Sequence, residues 1–175
     1  QALRRRIAVV LQDVFLFSGT VVDNISMRDP SISREKCIEA AKWIGAHEFI
    51  EKLPGGYDFP VMERGSTLSM GQRQLLSFAR ALVFDPDILI LDEATSNIDT
   101  ESELIVQHAI EKLIEKRTSI IIAHRLSTIR KADRIMVLEK GKILEFGTHE
   151  QLINIPDGHY KLLYNLQFEN SNYQI

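Results

Sequence analysis

Three short apolar runs constrain this chain more than any other feature: the one inside RIAVVLQD at residues 6–13, ILIL at 88–91 and SIIIA at 119–123. Each is rich in isoleucine or valine and too short for a buried helix. The stretches between them carry apolar residues at helical spacing. Strands that alternate with helices form a parallel sheet, because parallel neighbours need a long crossover. Continuous apolar runs further predict strands buried on both faces. The first strand is expected to fill residues 6–13, and each run then passes straight into polar residues. Gln12 follows the first, Asp92 and Glu93 the second, and His124 the third. Parallel strands all leave a sheet by the same edge, so these groups converge where open α/β folds bind ligands.

The segment 33–84 is predicted to be mainly helical. Ser33 caps a helix with the stripe Cys37, Ile38, Ala41 and Ile44, stopped at Gly45. A shorter helix carries Phe49, Ile50 and Leu53 and ends at Pro54-Gly55-Gly56. The stretch LSMGQRQ, residues 68–74, opens a third helix with a capping box of Ser69 and Gln72. Gly71 leaves backbone amides uncovered there, at the positive end of the helix dipole, where anions bind. The inner face of that helix is Leu75, Phe78, Ala79, Leu82 and Val83. A capping box alone opens many ordinary helices, so the anion reading depends on the rest of the chain.

Residues 14–20 are expected to form a loop. Beyond the second strand, Thr100 and Glu103 cap a helix that packs through Val106, Ala109, Ile110 and Leu113. RIMVLEKGKILEF, residues 134–146, reads as a hairpin turning at Lys140-Gly141. Thr148 and Gln151 cap a short helix, a last helix runs from about 159 to 168, and residues 169–175 form a polar tail.

Composition excludes several classes. With 45% apolar and 26% charged residues, the chain reads as an ordinary globular protein. Its net charge of −3 is spread evenly, with no basic face for nucleic acid. Cys37 is the only cysteine, which removes a disulfide framework and a thiolate metal site and suits a reducing compartment. No apolar run has the length to cross a bilayer. The abrupt opening at Gln1 predicts a piece of something longer.

The convergent polar groups suit phosphoryl chemistry. Hard cations take carboxylate oxygen, so Asp92 can hold Mg²⁺ directly or through water. Glu93 can polarise the water that attacks a γ-phosphate. Gln12 offers an uncharged amide to the metal or the water, and His124 can reach the same phosphate.

With all of these strings in view, the chain resembles the nucleotide-binding domain of ATP-binding-cassette (ABC) transporters of the exporter type. Gln12 matches the Q-loop, LSMGQ the signature, ILILDE the Walker B motif, SNID at residues 96–99 the D-loop, and AHRLST the switch histidine. LFSGTVVDNI at residues 16–25 and ERG at 63–65 resemble exporter loops that meet the coupling helices of a transmembrane domain. The resemblance implies an α/β fold with a parallel-sheet P-loop NTPase core and a helical signature subdomain over 33–84. A Walker B, D-loop and switch core follows over 85–147, with a C-terminal hairpin and helices completing a domain that ends at 168. It also implies catalytic roles for Glu93, His124 and Gln12, and Mg²⁺ at Asp92 and Gln12. Two such domains pair head to tail around two ATP molecules. Ser69, Met70, Gly71 and Gln72 then close over the phosphate held by the partner, with Ser96 and Asp99 beside them. The expected location is the cytoplasmic face of a membrane, without nucleic acid.

Two departures stand out. The phosphate loop G-x-x-x-x-G-K-[ST] does not occur in these residues. It is expected upstream of Gln1, and these 175 residues alone are expected to be inactive. The usual signature is Leu-Ser-Gly-Gly-Gln, whereas Met70 stands at the centre of this one. Its side chain either crowds the anion or points away from it. Two rival readings are a non-transport ABC ATPase and a docking module that presents the signature helix to a partner. The first kind separates its halves by heptad coiled coils, which are absent between Gln12 and Leu68.

Overall fold

The computed structural model describes residues 6–92, 100–115, 117–123 and 126–171. The chain forms two compact units, Gln1–Ile122 and Ala123–Ile175.

The first unit holds β1 (Ile7–Val10), β2 (Gly19–Thr20), α1 (Val21–Ser26), α2 (Arg34–Trp43), α3 (His47–Glu51), β3 (Pro60–Val61), α4 (Met70–Val83), β4 (Ile88–Asp92), α5 (Thr100–Ile114) and β5 (Thr118–Ile122). Its main sheet is parallel, in the order β1-β4-β5. β2 and β3 form a separate antiparallel pair of two residues each. The α/β class and the three strands therefore stand as expected.

Two details of the strands differ from expectation. Register aligns Val10, Leu91 and Ile121 in one row and Val9, Ile90 and Ile120 in the next. The first row's face is buried: Val10, Leu89 and Leu91 share a core with Phe78 and Val83 of α4 and with Val106, Ala109 and Leu113 of α5. On the opposite face, Val9 is 54%, Ile120 57% and Ile122 52% exposed. The expected burial on both faces thus fails. The described helices of this unit share the core on the first row's face. The first strand is also shorter than expected. It ends at Val10, so Gln12 stands two residues beyond it in an exposed loop.

The helices follow their local signals. Ser33 accepts the Lys36 amide at 3.3 Å and starts α2, which buries Cys37, Ala40 and Ala41. Gly45 closes it at φ +78°, a left-handed conformation that glycine takes without a Cβ penalty. α4 buries Leu75, Phe78, Ala79 and Val83 of the predicted face, with Leu82 only partly buried, and Gln74 as well. Directly after the segment read as a loop comes α1, which was not foreseen and is opened by a reciprocal box. Thr20 Oγ1 accepts the Asp23 amide at 3.0 Å, and Asp23 Oδ2 accepts the Thr20 amide at 2.8 Å. α5 begins at Thr100, whose side chain lies outside the described residues.

The second unit contains α6 (Leu126–Lys131), β6 (Ile135–Glu139), β7 (Lys142–Gly147), α7 (His149–Ile153) and α8 (His159–Ser171). β6 and β7 form the predicted antiparallel hairpin. Lys140 at φ +48° and Gly141 at φ +77° supply the two left-handed residues that a tight hairpin turn requires. α6 was not foreseen. α8 continues to Ser171, past the expected end near 168, because neither glycine nor proline interrupts residues 169–171. The Glu145 carboxylate caps it, accepting the amides of His159 at 2.7 Å and Tyr160 at 3.0 Å.

Candidate nucleotide site

At the start of α4 the capping box is complete. Ser69 Oγ accepts the Gln72 amide at 3.2 Å, and Gln72 Oε1 accepts the Ser69 amide at 3.0 Å. The first i→i−4 bond of the helix runs from the Arg73 amide to the Ser69 carbonyl at 3.0 Å. The amides of Met70 and Gly71 precede that bond, so the helix ladder does not use them. The Ser69 hydroxyl accepts in the box, which leaves its own proton free to be donated. The result is a set of donors at the positive end of a 14-residue helix.

That end is held by close packing. The Arg73 guanidinium donates to the Leu68 carbonyl at 2.7 Å. The turn at Glu63–Gly65 is tied to the segment after Gln12, because the Arg64 amide donates to the Leu16 carbonyl at 3.0 Å. Gly65 sits at φ +65°, and a Cβ there would lie 2.8 Å from Leu16 Cδ1 and 2.9 Å from Arg73 Cδ. Only glycine fits between these side chains without displacing one of them.

Two clefts flank the helix start. Ser69, Gly71 and Gln72 line one of about 210 Å³, with Gly45, Glu48, Lys52 and Ile105 among its walls. Met70, 41% exposed, lines the other, of about 290 Å³, together with Gln12, Asp13, Arg64 and Arg73. The helix thus separates Met70 from its neighbours in the motif and brings it to Gln12.

At the carboxyl edge of the sheet, Asp92 is the last residue of β4, half-buried and in register with Ile122 at the end of β5. Gln12 leaves β1 at the same edge. Glu93, Ser96, Asp99 and His124 lie outside the described residues.

Sequence reasoning missed the scaffold behind Gln12. Asn24 of α1 is fully buried. Its amide donates to the carbonyls of Phe17 at 2.9 Å and Thr20 at 3.1 Å, and its oxygen accepts the Phe17 amide at 3.1 Å. The Thr20-x-x-Asp23 spacing was a legible sign of the helix that positions it.

Comparison with known proteins agrees with this geometry. The family model described as ABC transporter matches residues 1–96. The probable multidrug resistance ABC transporter ATP-binding/permease protein YheH of Bacillus subtilis is 53% identical over 95% of this chain and 25% of its own length. The alpha-hemolysin translocation ATP-binding protein HlyB of Escherichia coli O6:H1 is 54% identical over 94% of this chain and 23% of its own. A solved bacterial Atm1-family ABC exporter with ATP bound has a TM-score of 0.83 and 41% identity, over 94% of this chain and 28% of that one. The chain spans roughly a quarter of the length of these relatives. A signature helix that opens on free amides and a carboxylate closing the middle strand of a parallel sheet thus occur together in a chain that belongs to the ABC transporter family.

Proposed function

We propose that this chain is part of an ATP-hydrolysing domain that drives export of a substrate across a membrane. It would act as one of a head-to-tail pair of such domains, joined to the coupling helices of a transmembrane domain on the cytoplasmic side. The observation that carries this reading is the start of α4. Its unused amides and the free Ser69 proton suit the γ-phosphate of an ATP held by the partner domain, and the structural relative in this family has ATP bound. Ser69, Gly71 and Gln72 would grip that phosphate in trans, with Met70 beside them and Ser96 and Asp99 of the D-loop nearby.

Asp92 and Gln12 would serve this chain's own ATP. Among the described residues no cluster of three or more His, Cys, Asp or Glu side chains could cage a metal. One carboxylate and one amide oxygen at a sheet edge fit Mg²⁺ well, because that ion takes one or two carboxylates and otherwise binds water and phosphate oxygen. When bound, Mg²⁺ neutralises charge on the phosphates. Glu93 would accept a proton from the attacking water, Gln12 would orient that water, and His124 would contact the γ-phosphate.

The test is Glu93→Gln in the full-length protein. The amide keeps the shape but accepts no proton, so hydrolysis should fall by ~10²–10⁴-fold while ATP binding persists. Turnover near wild type would remove Glu93 as the base.

A further inference from the structure

We infer that Arg80 is a positioning residue: it holds the chain just behind Gln12 and so sets the reach of that side chain from the signature helix. Arg80 lies on α4, the helix that Ser69 opens, and its guanidinium reaches across to the chain that follows β1. Nη1 donates to the Phe15 carbonyl at 2.9 Å, Nε to the Asn24 carbonyl at 2.9 Å and Nη2 to Asn24 Oδ1 at 3.2 Å. Two guanidiniums lie over the Phe17 ring, with Arg28 Cζ 4.9 Å and Arg80 Cζ 5.7 Å from its centroid.

The place of the Phe15 bond in the chain gives it its importance. Phe15 comes three residues after Gln12 and is 63% exposed, so burial of this residue does not fix the backbone. Val14 is only partly buried against the core. Leu16, fully buried, is the next firm anchor. Between Gln12 and Leu16 the backbone therefore runs beside an open cleft of about 470 Å³ lined by Asp13, Phe15 and Arg80. The bond from Arg80 is the described polar contact that fixes its course there. A charged donor on a neutral carbonyl makes a stronger bond than two neutral groups do. Burial pulls the Arg80 pKa below the ordinary guanidinium value, which agrees with a cation held among carbonyls rather than carboxylates.

One helix thus carries the groups proposed to meet the partner's phosphate at its start and, further along, the group that holds the Gln12 loop. A shift of α4 when the pair closes would be passed to Gln12 through Arg80. This inference rests on the proposed role of Gln12 at the ATP site, and its test separates the two.

In the full-length protein, ATPase rates would be measured for wild type, Arg80→Gln, Gln12→Ala and the double variant, with Arg80→Lys alongside. A displacement of about 1 Å at a reacting geometry costs on the order of 10²-fold, so Arg80→Gln should lower kcat by about tenfold to a hundredfold. If Arg80 acts through Gln12, the same substitution should lower kcat by less than about twofold in the Gln12→Ala background. Arg80→Lys, still able to reach a single carbonyl, should restore part of the rate. Should Arg80→Gln fail to fold, the cycle is run with Arg80→Lys. Equal losses in both backgrounds would overturn the inference and leave Arg80 as a general brace. A wild-type rate for Gln12→Ala would instead remove the proposed role of Gln12, and the inference with it.

Discussion

On the proposed function Ser69 has two separable duties, and substitution can set them against each other. In the fold its oxygen accepts the Gln72 amide, while its backbone amide donates to Gln72 Oε1. Ser69→Ala loses the first bond and keeps the second, because alanine retains the backbone N–H. Loss of such a cap costs about 1 kcal/mol, which corresponds to about 2–4 °C in Tm for a domain of this size class. Ser69→Asp keeps both bonds and adds a negative charge at the helix N-terminus, worth about 0.3–1 kcal/mol in its favour. Stability should therefore run Asp, then Ser, then Ala. Function should order them differently. On the proposed function the hydroxyl proton would donate to a phosphate, and a hydrogen bond to a charged group is worth about 1.5–3 kcal/mol, so Ser69→Ala should lower ATPase by roughly 10–150-fold. Ser69→Asp loses that donor and also sets a carboxylate against the phosphate. Like charges about 4 Å apart near a surface repel by about 4 kcal/mol, so its activity should be the lowest of the three. Melting curves of the nucleotide-binding domain and ATPase rates of the full-length protein would read the two orders. If activity tracked stability, with Ser69→Asp at least as active as wild type, Ser69 would be a cap and nothing more.

The position of Met70 gives a second prediction. Because Met70 lines the cleft of Gln12 rather than that of Ser69 and Gly71, Met70→Gly should leave hydrolysis at the site proposed to be closed by this signature within about twofold. Where the partner domain belongs to a different subunit, ATPase rates with Glu93→Gln silencing the chain's own site would measure this, and a tenfold rise would show that methionine crowds the phosphate. Gly65→Ala should destabilise the domain by about 2–5 kcal/mol, from left-handed strain of ~1–2 kcal/mol plus overpacking of ~1–3 kcal/mol against Leu16 and Arg73. Urea denaturation would check it, and a loss below about 1 kcal/mol would mean that those side chains yield freely.

What the sequence disclosed well was local. The box of Ser69 and Gln72, the Ser33 cap, the Lys140-Gly141 turn and the apolar face of α4 depend on residues a few positions apart, and each formed as read. Failures came where distant contacts decide. The run through Val9 and Ile120 looks the same whether one sheet face or two are covered, because apolar periodicity does not record which neighbours exist. The early end of β1 has a similar cause, since Leu11, Gln12 and Asp13 have no described partner in β4 beyond the row of Val10 and Leu91. α1 was overlooked although Thr20 and Asp23 announced it, because six residues are too few to show a helical period. Asp92 was legible as a strand-end polar group, whereas Gln12 proved to stand two residues beyond its strand. The scaffold of Asn24, Gly65 and Arg80 was not, because it exists only once α1 and α4 lie side by side.

β1 and β4 are sheet neighbours, although all of α1 to α4 lies between them in the chain. Two strands so far apart must wait for a large loop to close, and closure entropy grows only with the logarithm of loop length, about 0.6 kcal/mol per doubling. The intervening helices, three of them opened by side-chain caps of their own, can form early and draw the loop ends together. Folding should therefore proceed outward from the helical segment, with the parallel strands joining last. An emerging chain would then carry an ordered signature helix before β4 is available to complete the sheet edge where Asp92 sits.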